Sequence, residues 1–198
     1  LKWILDTYTF TRDYPYSYVL PGLAANYIRN SVKAVVDAYD GTVDLYVFDE
    51  QDPIIACYQR IFPKLFRSRD EMSEALLEHV RYPKVLFLVQ AQVYCKYHMR
   101  DVQVFYNQED RWGIPNEMYG GTKQTIEPYY VIMKAPDSPD EEFMLIIPFT
   151  PYQREDENMV GWMAAKCDWR PGRDAGHSGR QPGYGKLLMY KFPKKELY

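Results

Sequence analysis

The residues best suited to chemistry gather in Lys166 to Lys186, KCDWRPGRDAGHSGRQPGYGK. Lys166, Arg170, Arg173, Arg180 and Lys186 stand there against Asp168 and Asp174, a local charge of +3 to which a protonated His177 can add. Glycine lets backbone N–H groups approach an anion, and arginine forks suit carboxylate or phosphate. Arg170, Arg173, His177, Arg180 and Lys186 are therefore the candidate anion- or partner-binding residues. The stretch lacks the GxxxxGK(S/T) order of a phosphate-binding loop, and a long Gly/Pro/Arg loop is as often a plain connection. Asp137, Asp140, Glu141 and Glu142 form an acidic counterpart, suited to pairing with it within the molecule or between copies.

Three other sets carry weaker signals. Asp37 and Asp44 flank Asp40-Gly41, and a two-residue turn there sets them opposite each other, a like-charge pair that needs water, a nearby Lys33 or Arg29, or a bound cation. A hard cation wants six or more oxygens, so solvation is the preferred reading and no metal site is assigned. His79, His98 and His177 show no HExxH spacing, and no serine sits in a GxSxG turn. His98 falls near the end of an expected helix, where the helix dipole favours a cation. Cys57, Cys95 and Cys167 form no CxxC pattern and read as free thiols, with a single bridge and one thiol left over as the alternative. No catalytic residue and no cofactor are expected. Tyr14, Tyr16 and Tyr18 alternate around Pro15, either as a strap along a sheet or as an aromatic strip for a glycan or peptide.

The elements that must position these groups begin with a hairpin. SVKAVVDAYDGTVDLYVF, Ser31 to Phe48, places Asp-Gly between two alternating runs, the strongest short-range hairpin signal. With Asp40 and Gly41 as the loop, Tyr39 faces Thr42, Ala38 faces Val43, Val36 faces Leu45, and Ala34 faces Val47. Val32, Ala34, Val36, Ala38, Val43, Leu45 and Val47 then make one apolar face, and Lys33, Val35, Asp37, Tyr39, Thr42, Asp44, Tyr46 and Phe48 a mixed one. Leu1 to Phe10 reads as a further strand.

After the hairpin the period changes to 3.6. Asp52-Pro53 caps and starts one helix with Ile54, Ile55, Tyr58, Ile61 and Phe62 on a face. Ser68-Arg69-Asp70-Glu71 is a capping box opening a second, with Met72, Leu76, Leu77 and Val80 inward. A third runs from Pro83 to about Met99 with Leu86, Val89, Val93 and Tyr97 in a stripe. These three helices, within 53–99, are expected to cover the apolar face of the hairpin. DVQVFYNQED after Asp101 fits a helix or a strand. Arg111 to Glu127 reads as loop anchored by Trp112. Pro128 to Lys134 and Glu142 to Phe149 form a second hairpin, NMVGWMAAKC a helix with strand as runner-up, and GKLLMYKF a closing strand. The order strands, helices, strands predicts one α+β domain over 1–198 with a mostly antiparallel sheet.

The totals agree with a folded chain. Its 198 residues are 46% hydrophobic and 26% charged, which excludes disordered and fibrous classes. A net charge of −3 argues against nucleic acid, which needs a basic face. The longest apolar runs, VLFLV and FMLIIPF, fall far short of the roughly 20 residues of a membrane-spanning helix. The chain opens at Leu1 without a signal peptide and stops after KFPKKELY, which suggests a piece of a longer protein.

YIRNSVKAVVDAYDGTVDLYVFDEQDPII, RYPKVLFLVQAQVYCKYHM, VFYNQED, IPNE, EPYYVIMK, EEFMLIIPFTP, NMVGWMAAKCD and YGKLLMYKFPK together resemble one family, uncharacterised protein family 0182 of bacterial multi-pass membrane proteins. The resemblance covers nearly the whole chain. It implies a parent with N-terminal transmembrane helices and a large soluble region of which this chain is a part, located at the cell membrane. It carries over no activity, cofactor or catalytic residue. Members usually pass almost directly from the CD position to YGKL, whereas WRPGRDAGHSGRQPG is inserted here. The expectation is a soluble, non-catalytic domain serving assembly or partner binding, its partners the parent's own transmembrane region and other membrane or envelope proteins. An enzyme or transporter-associated ligand-binding domain, with a site near the basic loop, and a glycan- or peptide-binding surface are the alternatives. The resemblance leans toward the outside of the cell, and unpaired cysteines lean the other way.

Overall fold

The alternating run at the start of the chain forms β1 (Lys2–Thr11), paired antiparallel with β2 (Tyr27–Asp37). β2 pairs antiparallel with β3 (Val43–Val47), and β3 lies parallel to the short β4 (Phe66–Ser68). This four-stranded sheet, in the order β1-β2-β3-β4, belongs to the first of two compact units, Leu1–Leu86 and Phe87–Tyr198. The computed structural model describes residues 1–19, 22–136, 138, 140–152, 158–168 and 183–193.

The hairpin exists, but its register differs from the expected one by two residues. Val36 faces Val43, Ala34 faces Leu45, and Val32 faces Val47. The loop is Ala38 to Gly41, closed by the Asp37 N–H donating to the Thr42 carbonyl at 2.9 Å. A type I′ turn would need positive φ at both Asp40 and Gly41, and only Gly41 has it, at 75°. The aspartates instead fold back locally: Asp37 accepts from the Tyr39 N–H at 2.9 Å, and Asp40 from the Thr42 N–H at 2.9 Å and hydroxyl at 2.8 Å. Such Asx contacts mimic a backbone turn and favour the longer loop. Because a slip of two is even, every side chain keeps its expected face.

Helix α1 (Pro53–Ile61) starts where expected, with Asp52 as N-cap and proline at its first position. It covers only one end of the apolar face: Ile55 packs with Val32 and Val47, joined by Leu45 and Phe66. Tyr58, Ile61 and Phe62, expected inward, are exposed. The capping box at Ser68–Glu71 forms, yet it opens a single 3₁₀ turn, and a separate four-residue helix α2 (Glu74–Leu77) follows. Met72 and Val80 are buried as expected. On the mixed face the Arg81 carbonyl meets Lys33.

Helix α3 (Lys84–Tyr97) opens at the junction of the units, and α4 (Val102–Asn107) follows, capped by Asp101. α3 buries Phe87, Ala91 and Cys95, while Val93 and Tyr97 from the expected stripe are exposed. Its sequence is apolar on several sides, so spacing alone does not choose a face. In the second unit β5 (Trp112–Gly113) and β8 (Tyr129–Lys134) both pair with β9 (Glu141–Pro151), and β9 pairs with β10 (Gly161–Lys166), which pairs with β11 (Leu187–Lys191), all antiparallel. A separate hairpin, β6 (Asn116–Tyr119) and β7 (Thr122–Thr125), turns on Gly120 and Gly121, in a region expected to be loop.

NMVGWMAAKC is thus a strand. In Gly161–Lys166 one face, Gly161, Met163 and Ala165, is buried and the other, Trp162, Ala164 and Lys166, is buried or half-buried, and a run apolar on both sides cannot be told from a helix by period. Gly161 shows why this strand fits: a Cβ there would lie 2.6 Å from the Tyr190 carbonyl. Met144 and Ala164 with Ala135 form one core, packed by Met133, Ile146, Trp162, Leu188 and Tyr190. Leu145, Ile147, Phe149, Met163 and Ala165 are buried as well. With four α-helices and eleven strands among the described residues, the fold is α+β with antiparallel-rich sheets, one helix more than expected.

Candidate functional site

Of the predicted anion-binding residues, Arg170, Arg173, His177 and Arg180 lie outside the described residues, as does Asp137. Lys186 is described and exposed, at the base of the loop. The loop's two ends are held side by side: the Lys166 N–H donates to the Lys186 carbonyl at 3.1 Å, and the Gly185 N–H donates to the Lys166 carbonyl at 2.9 Å. Lys166 also pairs with Glu142 at 2.7 Å, and the Asp168 carboxylate accepts from the Phe143 N–H at 3.1 Å. One basic and one acidic residue of the two complementary sets therefore meet within the chain.

Asp37 and Asp44 are not cross-strand partners, because the longer loop places Thr42 opposite Asp37 and Val35 opposite Asp44. Each has its own cation: Lys2 lies 3.5 Å from Asp37 and Arg67 3.0 Å from Asp44. Backbone donation from Tyr39 is the main cause that lowers the Asp37 pKa, and Lys2 adds to it. Of the two cations first considered, Arg29 pairs with Asp49 at 3.0 Å, and Lys33 with Asp6. Among the described residues no three His, Cys, Asp or Glu side chains gather to hold a metal ion.

The densest polar cluster was not visible as a motif. Asp52, fully buried, caps α1 through the Ile54 N–H at 3.0 Å and accepts from the hydroxyls of Tyr27 at 2.7 Å, Ser31 at 2.5 Å, and Thr9. Thr9 and Ser31 sit where the β1–β2 register shifts, their oxygens 3.1 Å apart. Burial alone would raise the Asp52 pKa, but these donors outweigh it and hold the group below its ordinary value. Burial, with the neighbouring carboxylate, pushes the Tyr27 phenol up to about 12. A carboxylate held low and surrounded by its own donors is a weak base. It fastens two strands to a helix N-terminus.

In the second unit His98 is buried against Trp112, ring centroids 3.8 Å apart. Its Nδ1 faces the Tyr94 carbonyl at 3.1 Å, so Nδ1 carries the proton. Nε2 has no hydrogen-bond partner among the described residues and lies 3.8 Å from Asp110. Burial lowers the His98 pKa, helped by Lys191 and opposed by the Tyr94 carbonyl and Asp110. The group expected to be a helix-end cation is thereby biased to the neutral form.

Part of the sheet of the first unit exposes apolar side chains. Trp3 faces Val36, which faces Val43, and Leu5 faces Ala34, which faces Leu45. This is the half of the apolar face away from Ile55. Leu1, Trp3, Leu5 and Val43 are 76%, 60%, 49% and 55% exposed. Tyr14 and Tyr18 are also exposed and Tyr16 fully so, with Tyr14 stacked on Tyr27 at 5.5 Å. Among the described residues no helix is long and apolar enough to cross a membrane.

The profile of Uncharacterised protein family (UPF0182) matches residues 1–198. A UPF0182 protein of Microcystis aeruginosa is 52% identical over the whole chain, which covers 19% of that protein. UPF0182 proteins of Methanospirillum hungatei and Cupriavidus necator are each 48% identical, with 21% of their length covered. The chain therefore spans about a fifth of the length of the curated relatives it matches. No solved structure matches it. The chain belongs to this uncharacterised family.

Proposed function

We propose that this UPF0182 chain is a non-catalytic assembly module of a multi-pass membrane protein, packing against other parts of that protein or against envelope partners. The observation that supports it is the half-covered apolar face: Leu1, Trp3, Leu5 and Val43 stand open in a chain that covers 19% of a relative's length. Isolated exposed apolar residues are ordinary, but a contiguous row of them marks a surface meant to be covered. The polar clusters described above hold strands and helices in place, which suits a scaffold. The test is Trp3→Glu with Leu5→Lys in the full-length protein. Loss of its accumulation or assembly is expected, and unchanged behaviour overturns the reading.

The membrane side of this region can be tested through a thiol already present. Cys57 is an exposed free thiol, whereas Cys95 and Cys167 are buried. A membrane-impermeant maleimide applied to intact cells labels Cys57 if this region faces outward, and fails to label it until lysis if it faces inward.

A second reading, contact with a glycan or peptide, is supported by the exposure of Tyr14, Tyr16 and Tyr18. It predicts that Tyr16→Ala and Tyr18→Ala abolish retention on a peptidoglycan or peptide array while leaving assembly intact. Retention unchanged by both substitutions would discard it.

A further inference from the structure

We propose that β1 receives an added strand along its outer edge, supplied by a segment of the same polypeptide that lies outside these residues. This rests on the assembly reading above and names its surface and occupant.

β1 is ten residues long and stands at the end of its sheet, paired with β2 alone among the described strands. Its backbone parity is set by the Ala38 N–H, which donates to the Leu1 carbonyl at 3.0 Å. Alternation then turns the backbone groups of Trp3, Leu5 and Thr7 toward β2 and those of Lys2, Ile4 and Asp6 outward. These outward N–H and C=O groups form a regular row, because the pairing from Lys2↔Asp37 to Thr7↔Val32 is continuous and its irregularity begins only beyond Thr7.

Sheet edges are normally guarded by shortness, proline, bulges or free charges. This edge is long, has no proline, and is regular over its first half. Its two charged side chains there, Lys2 and Asp6, are both directed across the sheet, to Asp37 and Lys33. The side chains beside the row are apolar, Trp3 and Leu5, and Val43 extends them across the sheet. An extended segment laid on this edge gains a hydrogen-bond ladder and an apolar contact together.

Tethering and chain length favour an occupant from the same polypeptide. A segment tethered in the same chain meets the edge at an effective concentration of about millimolar and needs less surface. The relatives supply such chain length, since these residues cover only 18–22% of theirs.

The experiment uses the full-length protein in detergent or nanodiscs. Residue-resolved hydrogen exchange across Lys2–Thr7 should show the amides of Lys2, Ile4 and Asp6 as protected as those of Trp3, Leu5 and Thr7, at least 100-fold slower than free peptide. Leu5→Lys should release the outward set and leave the inward set protected. A photo-crosslinker at Trp3 should give intrachain products with residues beyond this region. Fast exchange confined to Lys2, Ile4 and Asp6 overturns the added strand. If Trp3→Glu with Leu5→Lys still impairs accumulation, the assembly reading survives that failure. Crosslinks to a second copy, to another protein, or to residues 1–198 alone overturn the proposed occupant.

Discussion

Replacing Asp6 by asparagine should cost more stability than replacing Lys33 by methionine, although the first removes the more exposed side chain. Lys33 lies on the central strand β2, directly opposite Asp6 on β1 and Tyr46 on β3. Its side chain is 2% exposed and that of Asp6 30%. Besides the Asp6 carboxylate, Lys33 donates to the Arg81 carbonyl at 3.3 Å and lies 5.8 Å from the Phe48 ring centroid. Asp6→Asn removes the carboxylate that faces the buried Lys33 ammonium, a change that costs about 3–5 kcal/mol. The loss has a ceiling, because the amine can release its proton instead. At about 1.4 kcal/mol per pH unit, deprotonating an ordinary lysine at pH 7 costs roughly 4.6 kcal/mol.

That escape has a sign. If the Asp6→Asn amine gives up its proton on folding, the unfolded state binds more protons, so stability increases with pH and the deficit shrinks by up to about 1.4 kcal/mol per unit above pH 7. Lys33→Met removes the charge and keeps an apolar stem of similar length beside Phe48, while Asp6 can turn to water. Its cost should stay within about 1 kcal/mol. Urea denaturation at about pH 7 and pH 9 reads both variants and the double mutant. A methionine variant less stable than the asparagine variant, or an asparagine deficit that does not change with pH, would refute the reasoning.

Four further outcomes follow from the same physics. Asp52→Ala should destabilise by about 2–4 kcal/mol, since it strips the acceptor from Thr9, Tyr27, Ser31 and the α1 N-cap; a loss under about 1 kcal/mol in thermal unfolding would contradict the network. Its lowered pKa makes that stability present above the ordinary carboxylate range and lost as pH falls through the folded value, whereas the Tyr27 phenol, raised to about 12, contributes below its ordinary value of 10.0 and is lost as pH rises through about 12; ultraviolet titration should show a late-titrating phenol that Tyr27→Phe removes. The lowered His98 pKa means stability falls as pH drops below 6.5 toward the folded value, and His98→Gln should flatten that slope, with the stacked Trp112 as fluorescence reporter. Gly161→Ala should cost about 2–3 kcal/mol in denaturation because its Cβ meets backbone rather than a movable side chain; a neutral result would mean the strands separate without strain.

What the sequence by itself determined is whatever depends on near neighbours and on parity. The alternation at Ser31–Phe48, the Asp52-Pro53 helix start, the Ser68–Glu71 box, the β8–β9 hairpin and the buried Trp112 all appear where local chemistry puts them. Parity is unchanged by a two-residue slip in register, so the expected apolar face is the observed one, while Asp44 stands opposite Val35 rather than Asp37. Gly120-Gly121 is itself a turn signal, but the strands beside it carry no apolar alternation that would announce a hairpin.

Tertiary structure alone decided which apolar surface is covered and which polar groups meet. α3 could bury any of several sides, and its burial of Phe87, Ala91 and Cys95 depends on contacts remote in sequence. Thr9, Tyr27, Ser31 and Asp52 span more than forty positions, and Lys33 joins Asp6 only because β1 returns beside β2. Free energies of burial and pairing belong to the folded neighbourhood, not to the residue, so no spacing rule announces them. The same holds for the open half of the sheet: Trp3 and Leu5 read as ordinary strand residues until the fold leaves them without a cover.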